Sequence, residues 1–396
     1  MTLRCLHVVP TYLPALRYGG PIHAVHGLCR ALARQGCEVQ VYTTNVDGAG
    51  VLPVPTDRPV RLDGVDVHYF PTGLGRRLYR SPAMGHALAR HIASFDVVHL
   101  HSVFLWPTTA AARLAQKNAI PYLLAPRGML VGDLIQRKSR MLKSAWVRAF
   151  DRANLAGAAA IHVTSRSERL EIEKLGLPAR AFALVPNGIE MPPAGTGRLP
   201  PDRTRPYVLF LGRISWKKGI ERLIDTMQLV ANADLVIAGN DDEGETTRLK
   251  ARAAALGLGA RIRFVGPVHG EEKWSLLRNC AAFALASHSE NFGNAVLEAM
   301  ACGRPVVVSP EVGLADMVAS AGCGMVVDAS PKAFGAAISS LLADPDLATR
   351  LGQAGERTAR EQFSWPGIAT AMLDVYQEAI LAQAGQTALA GRAVHV

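Results

Sequence analysis

The sequence predicts an α/β protein built from two doubly wound, Rossmann-like domains facing each other across a cleft. Three observations predict it. Short apolar runs alternate with helix-period stretches from one end to the other, which is the pattern of parallel sheets covered on both faces. The alternation pauses once, over 188–206, where Pro and Gly are dense and no periodicity survives, and then resumes. The length of 396 residues suits two domains of about 100–200 residues each.

The first domain is expected over 1–187. Its strands read as 3–9, 38–43, 65–70, 96–100, 121–124, 160–163 and 182–185, with amphipathic stretches such as 21–35, 82–94, 107–118 and 166–175 between them. The pause at 188–206 is a linker. The second domain, 207–365, has strands at 207–211, 234–238, 262–265, 282–286 and 305–308. Helices are expected at 219–230, 245–257, 271–279, 293–302 and 313–320, followed by a helical tail over about 331–384. Its last segment, 366–384, is expected to pack back on the first domain. The final dozen residues, GQTALAGRAVHV, read as frayed.

Composition narrows the class. Hydrophobic residues make up 49% and charged residues 19%, which fits packed cores rather than disorder. No apolar run approaches the ~20 residues of a membrane span. The N-terminal MTLRCLHVVP reads as a first strand, not a leader, so a cytoplasmic protein is expected. The six cysteines show no C-x-x-C spacing, so neither zinc nor a disulfide framework is expected.

The net charge of +10 is lopsided. Residues 1–190 hold 23 Lys and Arg against 12 Asp and Glu; the rest hold 20 against 21. The basic half suits an anionic partner: a phospholipid surface, a lipid-linked pyrophosphate or nucleic acid. A solvated surface is the plain alternative. Nucleic acid is disfavoured because no recognition motif is present and aromatics make up only 6%. Within this half Arg137, Lys138, Arg140, Lys143 and Arg148 interleave with Leu134, Ile135, Met141, Leu142, Trp146 and Val147. As a helix over 134–150 this is a basic amphipathic surface suited to the inner face of the plasma membrane. The alternative is that its apolar residues face the core.

Three segments carry candidate chemistry. In SHSENFGNAVLEAMACGRP, 287–305, a strand gives way to small polar residues, Gly293 and a helix. The glycine permits close backbone approach and the helix amides favour an anion. Glu290 and Glu298 are eight positions apart, about 80° if the helix extended back that far, and their carboxylates can accept hydrogen bonds from sugar hydroxyls. Alone, such a Glu pair is a weak signal. In VLFLGRISWKKG, 208–219, Gly212 ends a strand and Arg213, Lys217 and Lys218 follow, a cluster suited to a diphosphate. In PTYLPALRYGGPIH, 10–23, Gly19 and Gly20 precede Pro21 at a helix start. No G-x-G-x-x-G or Walker loop is present. His99 and His101 end the strand DVVHL and share one face. His99 reads as structural, and no third metal ligand with sensible spacing is visible.

Together the GG loop, HLHS (99–102), PNGI (186–189), GRISWKKG (212–219) and SENFGNAVLEAMACGRPVV (289–307) resemble the retaining glycosyltransferase family 4 of GT-B fold, over nearly the whole chain. PRGML at 126–130 is similar to members that build bacterial surface polysaccharides. The resemblance implies hexosyl transfer, with retention, from a nucleotide-diphosphate sugar to a sugar or lipid-linked acceptor. It implies that Arg213 and Lys218 bind the diphosphate, with Lys217 as the less well-spaced alternative. Glu298 would hold the ribose and Glu290 the transferred sugar. Amides near Asn291, Phe292, Gly293 and Asn294 would orient sugar and phosphate. Gly19 and Gly20 would approach the diphosphate, Gly266 would lie near the base, and His101 would meet the sugar.

Cations and helix N-termini can stabilise a leaving diphosphate without a metal. Asp241 and Asp242, after the strand DLVIA, are adjacent rather than spaced as in an Asp-rich metal motif, so no cofactor is expected. A GT-B-like sugar-nucleotide epimerase or phosphorylase, and a non-catalytic nucleotide-sugar-binding protein, are the alternatives. The donor sugar and base, the acceptor and the linkage are not written in the sequence.

Overall fold

A computed structural model describes residues 2–15, 19–130, 145–193, 205–241 and 243–393. The chain forms two compact units, residues 1–188 with 365–396, and residues 189–364.

The first unit runs β1 (Arg4–Val8), α1 (Gly20–Arg34), β2 (Glu38–Thr44), β3 (Val46–Asp47), β4 (Gly50–Val51), β5 (Val60–Leu62), β6 (Val65–Phe70), α2 (Pro82–His91), β7 (Val97–His101), α3 (Trp106–Lys117), β8 (Tyr122–Ala125), α4 (Arg152–Gly157), β9 (Ala160–Val163), α5 (Arg166–Lys174) and β10 (Phe182–Leu184). Eight strands form one sheet in the order β10-β9-β8-β7-β1-β2-β6-β5. β1, β7, β8 and β9 are buried along nearly their whole length, as expected for strands covered on both faces.

Two elements depart from the all-parallel expectation. β5 pairs antiparallel with β6, and β3 and β4 form a separate small hairpin. Both come from runs of two or three residues, too short to register as strands; β5 is an edge strand with no buried residue.

The second unit runs β11 (Tyr207–Leu211), α6 (Ile220–Thr226), β12 (Asp234–Ala238), α7 (Glu245–Ala255), β13 (Ile262–Gly266), α8 (Gly270–Asn279), β14 (Ala282–Leu285), α9 (Asn294–Ala301), β15 (Val306–Val308), α10 (Ala315–Ser320), β16 (Gly324–Val326), α11 (Pro331–Ala343) and α12 (Pro345–Gln362). Its sheet order is β13-β12-β11-β14-β15-β16, the 3-2-1-4-5-6 order of a nucleotide-binding α/β sheet. β16 has no counterpart in the sequence reading because three half-buried residues carry too little periodicity.

The last helix, α13 (Trp365–Ala393), belongs to the first unit. Trp365 lies between two glycines there: a Cβ on Gly27 would come within 2.1 Å of its ring, and one on Gly188 within 2.5 Å. Neither position admits a side chain without moving the indole. Ile368, Ala369, Met372 and Tyr376 then enter the core beside α1. The helix continues to Ala393, through most of the segment expected to fray.

Residues 131–144 lie outside the described set, and with them Leu134, Ile135, Arg137, Lys138, Arg140, Met141, Leu142 and Lys143. So do 194–204 of the linker and Asp242. Among the described residues no helix is long and apolar enough to cross a membrane. All six cysteines are free thiols, and four of them are buried.

Candidate active site

Strand order in the second unit reverses between β11 and β14. In open parallel sheets ligands bind beyond the carboxyl ends of the strands at such a reversal. The two loops leaving β11 and β14 are the basic motif 212–219 and the segment 286–293 that carries Glu290.

The fold locks these loops into one surface. The His288 amide donates to the Lys217 carbonyl at 2.7 Å, and the Lys218 ammonium pairs with the Glu290 carboxylate. Gly219 has φ +60°, and a Cβ there would lie 2.0 Å from the Ala286 carbonyl oxygen. Gly239, after β12, would place a Cβ 1.8 Å from the Gly212 oxygen. Both positions require glycine because backbone meets backbone. A third loop, which the sequence reading missed, braces the second: the Glu290 amide donates to Glu311 at 3.1 Å and Gly313 donates to the Glu290 carbonyl at 2.8 Å. One glycine in an ordinary loop gave no signal for it.

α9 begins at Asn294, and Glu290 sits in an isolated bridge opposite Val312. The helix does not extend back to Glu290, so the angular argument joining the two glutamates fails; the loop brings Glu290 to its place instead. Glu298 lies on α9 and pairs with Lys273 of α8 at 2.9 Å. Lys273 was not foreseen, because one Lys in an acidic helix start is unremarkable.

Each candidate carboxylate therefore faces an ammonium. Arg213 is exposed and makes no ion pair among the described residues. Phe292 is 3% exposed and meets Phe363 edge-on, so this segment offers a ligand backbone rather than that ring. Asn291 and Asn294 flank Gly293, which caps α9 at φ +103° without a side-chain hydrogen bond. Gly266 ends β13 at φ +79° and accepts from the Gly239 amide at 2.8 Å. Asp241 accepts the amides of Glu243, Glu245 and Thr246, which commits its carboxylate to the start of α7.

In the first unit the strand order reverses between β1 and β7. Gly19 caps α1 at φ +68° with no side chain on the helix amides. His101 ends β7 and is 1% exposed. Its Nε2 lies 3.1 Å from His7 Nδ1, and its Nδ1 accepts from Arg127 at 3.3–3.4 Å. Arg127, in the PRGML segment, also donates to Asn187 Oδ1 at 3.0 Å and is partly exposed. Sequence reading did not single out Arg127 or Asn187.

Ser102, Phe104 and Arg127 have φ of +77°, +63° and +55°, conformations costing about 1–3 kcal/mol each that cluster at functional sites. Thr108 Oγ1 donates to the carbonyls of His101 and Ser102, and the Phe104 amide donates to Asp151. Burial raises the Asp151 carboxyl to about 6.

His7, His99 and His101 bring ring nitrogens within 4.8 Å of one another. The third histidine, which spacing alone did not reveal, is His7, in register with His99 on the neighbouring strand. Burial lowers His7 and His162 to about 3, with the Arg127 charge adding to it. His99 and His101 are held well below the usual range for the same first reason.

The family model for the glycosyl transferase 4-like domain matches residues 19–188, and that for glycosyl transferases group 1 matches 197–358. A D-inositol 3-phosphate glycosyltransferase of Xylanimonas cellulosilytica is 29% identical over 94% of this chain and 95% of its own. Among solved structures, the sucrose-phosphate synthase of Thermosynechococcus elongatus superposes with a TM-score of 0.78 at 23% identity, covering 96% of this chain and all of the other. Anabaena HepE in complex with UDP-glucose gives 0.71 at 16%, covering 95% and 99%.

Proposed function

The chain belongs to the family 4 type of GT-B glycosyltransferases, and from that premise we propose that it moves a hexosyl group, with retention, from a nucleoside-diphosphate sugar to a sugar or lipid-linked acceptor. The observation that carries this reading is the single surface made by loops 212–219 and 286–293, where Lys218 already sits against Glu290. On donor binding Lys218 and Arg213 turn to the diphosphate, and Glu290 accepts hydroxyls of the sugar. Glu298 takes the ribose. As the anomeric bond breaks, negative charge grows on the leaving diphosphate, and fixed cations beside it lower the barrier.

A UDP-sugar is the first donor to try, since HepE was solved with UDP-glucose. A relative is named for D-inositol 3-phosphate and a structural neighbour for sucrose phosphate. Use of the transferase in polysaccharide assembly rests on the PRGML likeness. The reaction is proposed to need no metal, since cations supply the charge and the Asp241 carboxylate is bound to amides at the start of α7. A panel of nucleotide sugars, assayed for nucleoside diphosphate release with and without chelator, tests both points. One donor should be turned over equally in both conditions. Activity lost to chelator and restored only by a divalent ion would overturn the metal-free reading.

The basic excess of residues 1–190 supports an anionic surface or acceptor for the first unit. Sedimentation with anionic vesicles should exceed that with neutral ones and fall with salt. Equal recovery from both would favour a soluble acceptor.

A further inference from the structure

Five buried side chains of the first unit join end to end. Arg127 donates to His101 Nδ1. His101 Nε2 lies 3.1 Å from His7 Nδ1, and His7 Nε2 lies 3.3 Å from the Tyr376 hydroxyl. That hydroxyl lies 2.8 Å from His99 Nδ1, and His99 Nε2 lies 3.1 Å from His162 Nδ1. His162 Nε2 ends the chain 2.8 Å from the Val185 carbonyl oxygen.

The two ends fix every proton between them. A guanidinium can only donate, so His101 Nδ1 accepts and its proton is on Nε2. A carbonyl can only accept, so the proton of His162 is also on Nε2. Each neutral imidazole and the tyrosine hydroxyl has one proton to give and one lone pair to offer. The six links are then satisfied in one way only: every donation runs from Arg127 toward Val185, and all four histidines are neutral Nε2–H tautomers. A second proton on any ring would set donor against donor.

The same geometry weighs against reading His7, His99 and His101 as a metal centre. All their ring nitrogens are committed within the chain, and an added cation would sit beside the Arg127 guanidinium.

We propose that His7, Tyr376, His99 and His162 are positioning residues that lock His101 in the Nε2–H form, so that its Nδ1 holds the Arg127 guanidinium against Asn187 at the carboxyl ends of β7 and β8. Helix α13 is thereby part of this site, because its Tyr376 joins the two halves of the chain. Both nitrogens of His101 are occupied, and Arg127 is the partly exposed group at its outer end.

The claim about tautomers stands apart from the proposed transfer reaction; only the kinetic arm of its test rests on that reading. Nitrogen-15 NMR of imidazole-labelled protein should show four neutral Nε2–H histidines that do not titrate between pH 7.5 and 5.5. Tyr376→Phe keeps the ring and removes the link, so at least one of the four should change tautomer or begin to titrate. Turnover should fall roughly tenfold with unchanged nucleotide affinity, below the ~10⁴ lost when a wrong tautomer disables a proton-transferring ring. An Nδ1–H form among the four in the unmodified protein would overturn the proposal. So would stoichiometric zinc that is lost in His7→Asn, or Tyr376→Phe with unaltered histidine signals and full turnover.

Discussion

Lys218→Ala is expected to lower donor turnover by about 10²–10³-fold, the loss typical when one preorganised stabiliser of developing negative charge is removed. Lys218 is placed for this by three independent features: the Gly219 approach to Ala286, the Lys217 carbonyl bound to the His288 amide, and its own pairing with Glu290. Arg213→Ala should cost at least about tenfold, or ~1.4 kcal/mol, because the guanidinium is exposed and its gain is diluted by water. Lys217→Ala is the control. Its backbone carbonyl holds the loop, and that survives the substitution, so turnover should stay within about twofold, as for most surface substitutions. Melting curves must show that the Lys218 variant folds, since Glu290 loses its cation. Near-normal turnover by folded Lys218→Ala and Arg213→Ala would remove the donor clamp from the account.

Stability should fall steeply in mild acid. His7 and His162 are lowered to about 3 by burial, whereas an unfolded histidine titrates near ~6.5. The unfolded chain therefore binds protons first, and stability present above pH ~6.5 is lost as the pH falls below it. At pH 5 each of these two rings removes roughly 2 kcal/mol by this linkage. His99 and His101 act in the same direction. Asp151 acts oppositely: its carboxyl, raised to about 6, gains a proton in the folded state and returns roughly 1 kcal/mol. The net loss between pH 7.5 and 5 should be at least about 3 kcal/mol, a large share of the 5–15 kcal/mol typical of a domain. Urea unfolding of the first unit at the two pH values measures it. Equal midpoints would mean that the histidines are not held neutral.

Much of the second unit was legible because continuous apolar runs such as YVLFL and DLVIA alternate with helix-period stretches, as in parallel sheets covered on both faces, and the carboxyl ends of such strands mark where ligands go. That alternation puts Arg213, Lys218, Glu290 and Gly293 in the loops that follow strands. What spacing could not supply was contact. Lys273 reaches Glu298 from a different helix, and the 311–313 loop braces Glu290 across a bridge that leaves no periodic trace. The histidine chain shows the limit more sharply. Alternation puts His99 and His101 on one face, but His7, His162 and Tyr376 join them only through strand order and the return of α13. Strand order is set by packing, not by any local pattern. A usable signal did exist: histidines at 7, 99, 101 and 162 all fall in apolar strands of one half, where an unpartnered imidazole would be costly.

The second unit is expected to hold a nucleoside diphosphate through Arg213, Lys218 and Glu298. Calorimetric titration of UDP, GDP and ADP into the full chain tests it most directly, because it needs neither the acceptor nor the sugar. One nucleotide should bind at one site per chain, with affinity reduced tenfold or more, ~1.4 kcal/mol, in both Lys218→Ala and Glu298→Ala. Absence of binding by all three nucleotides, or equal affinity in the folded variants, would contradict it.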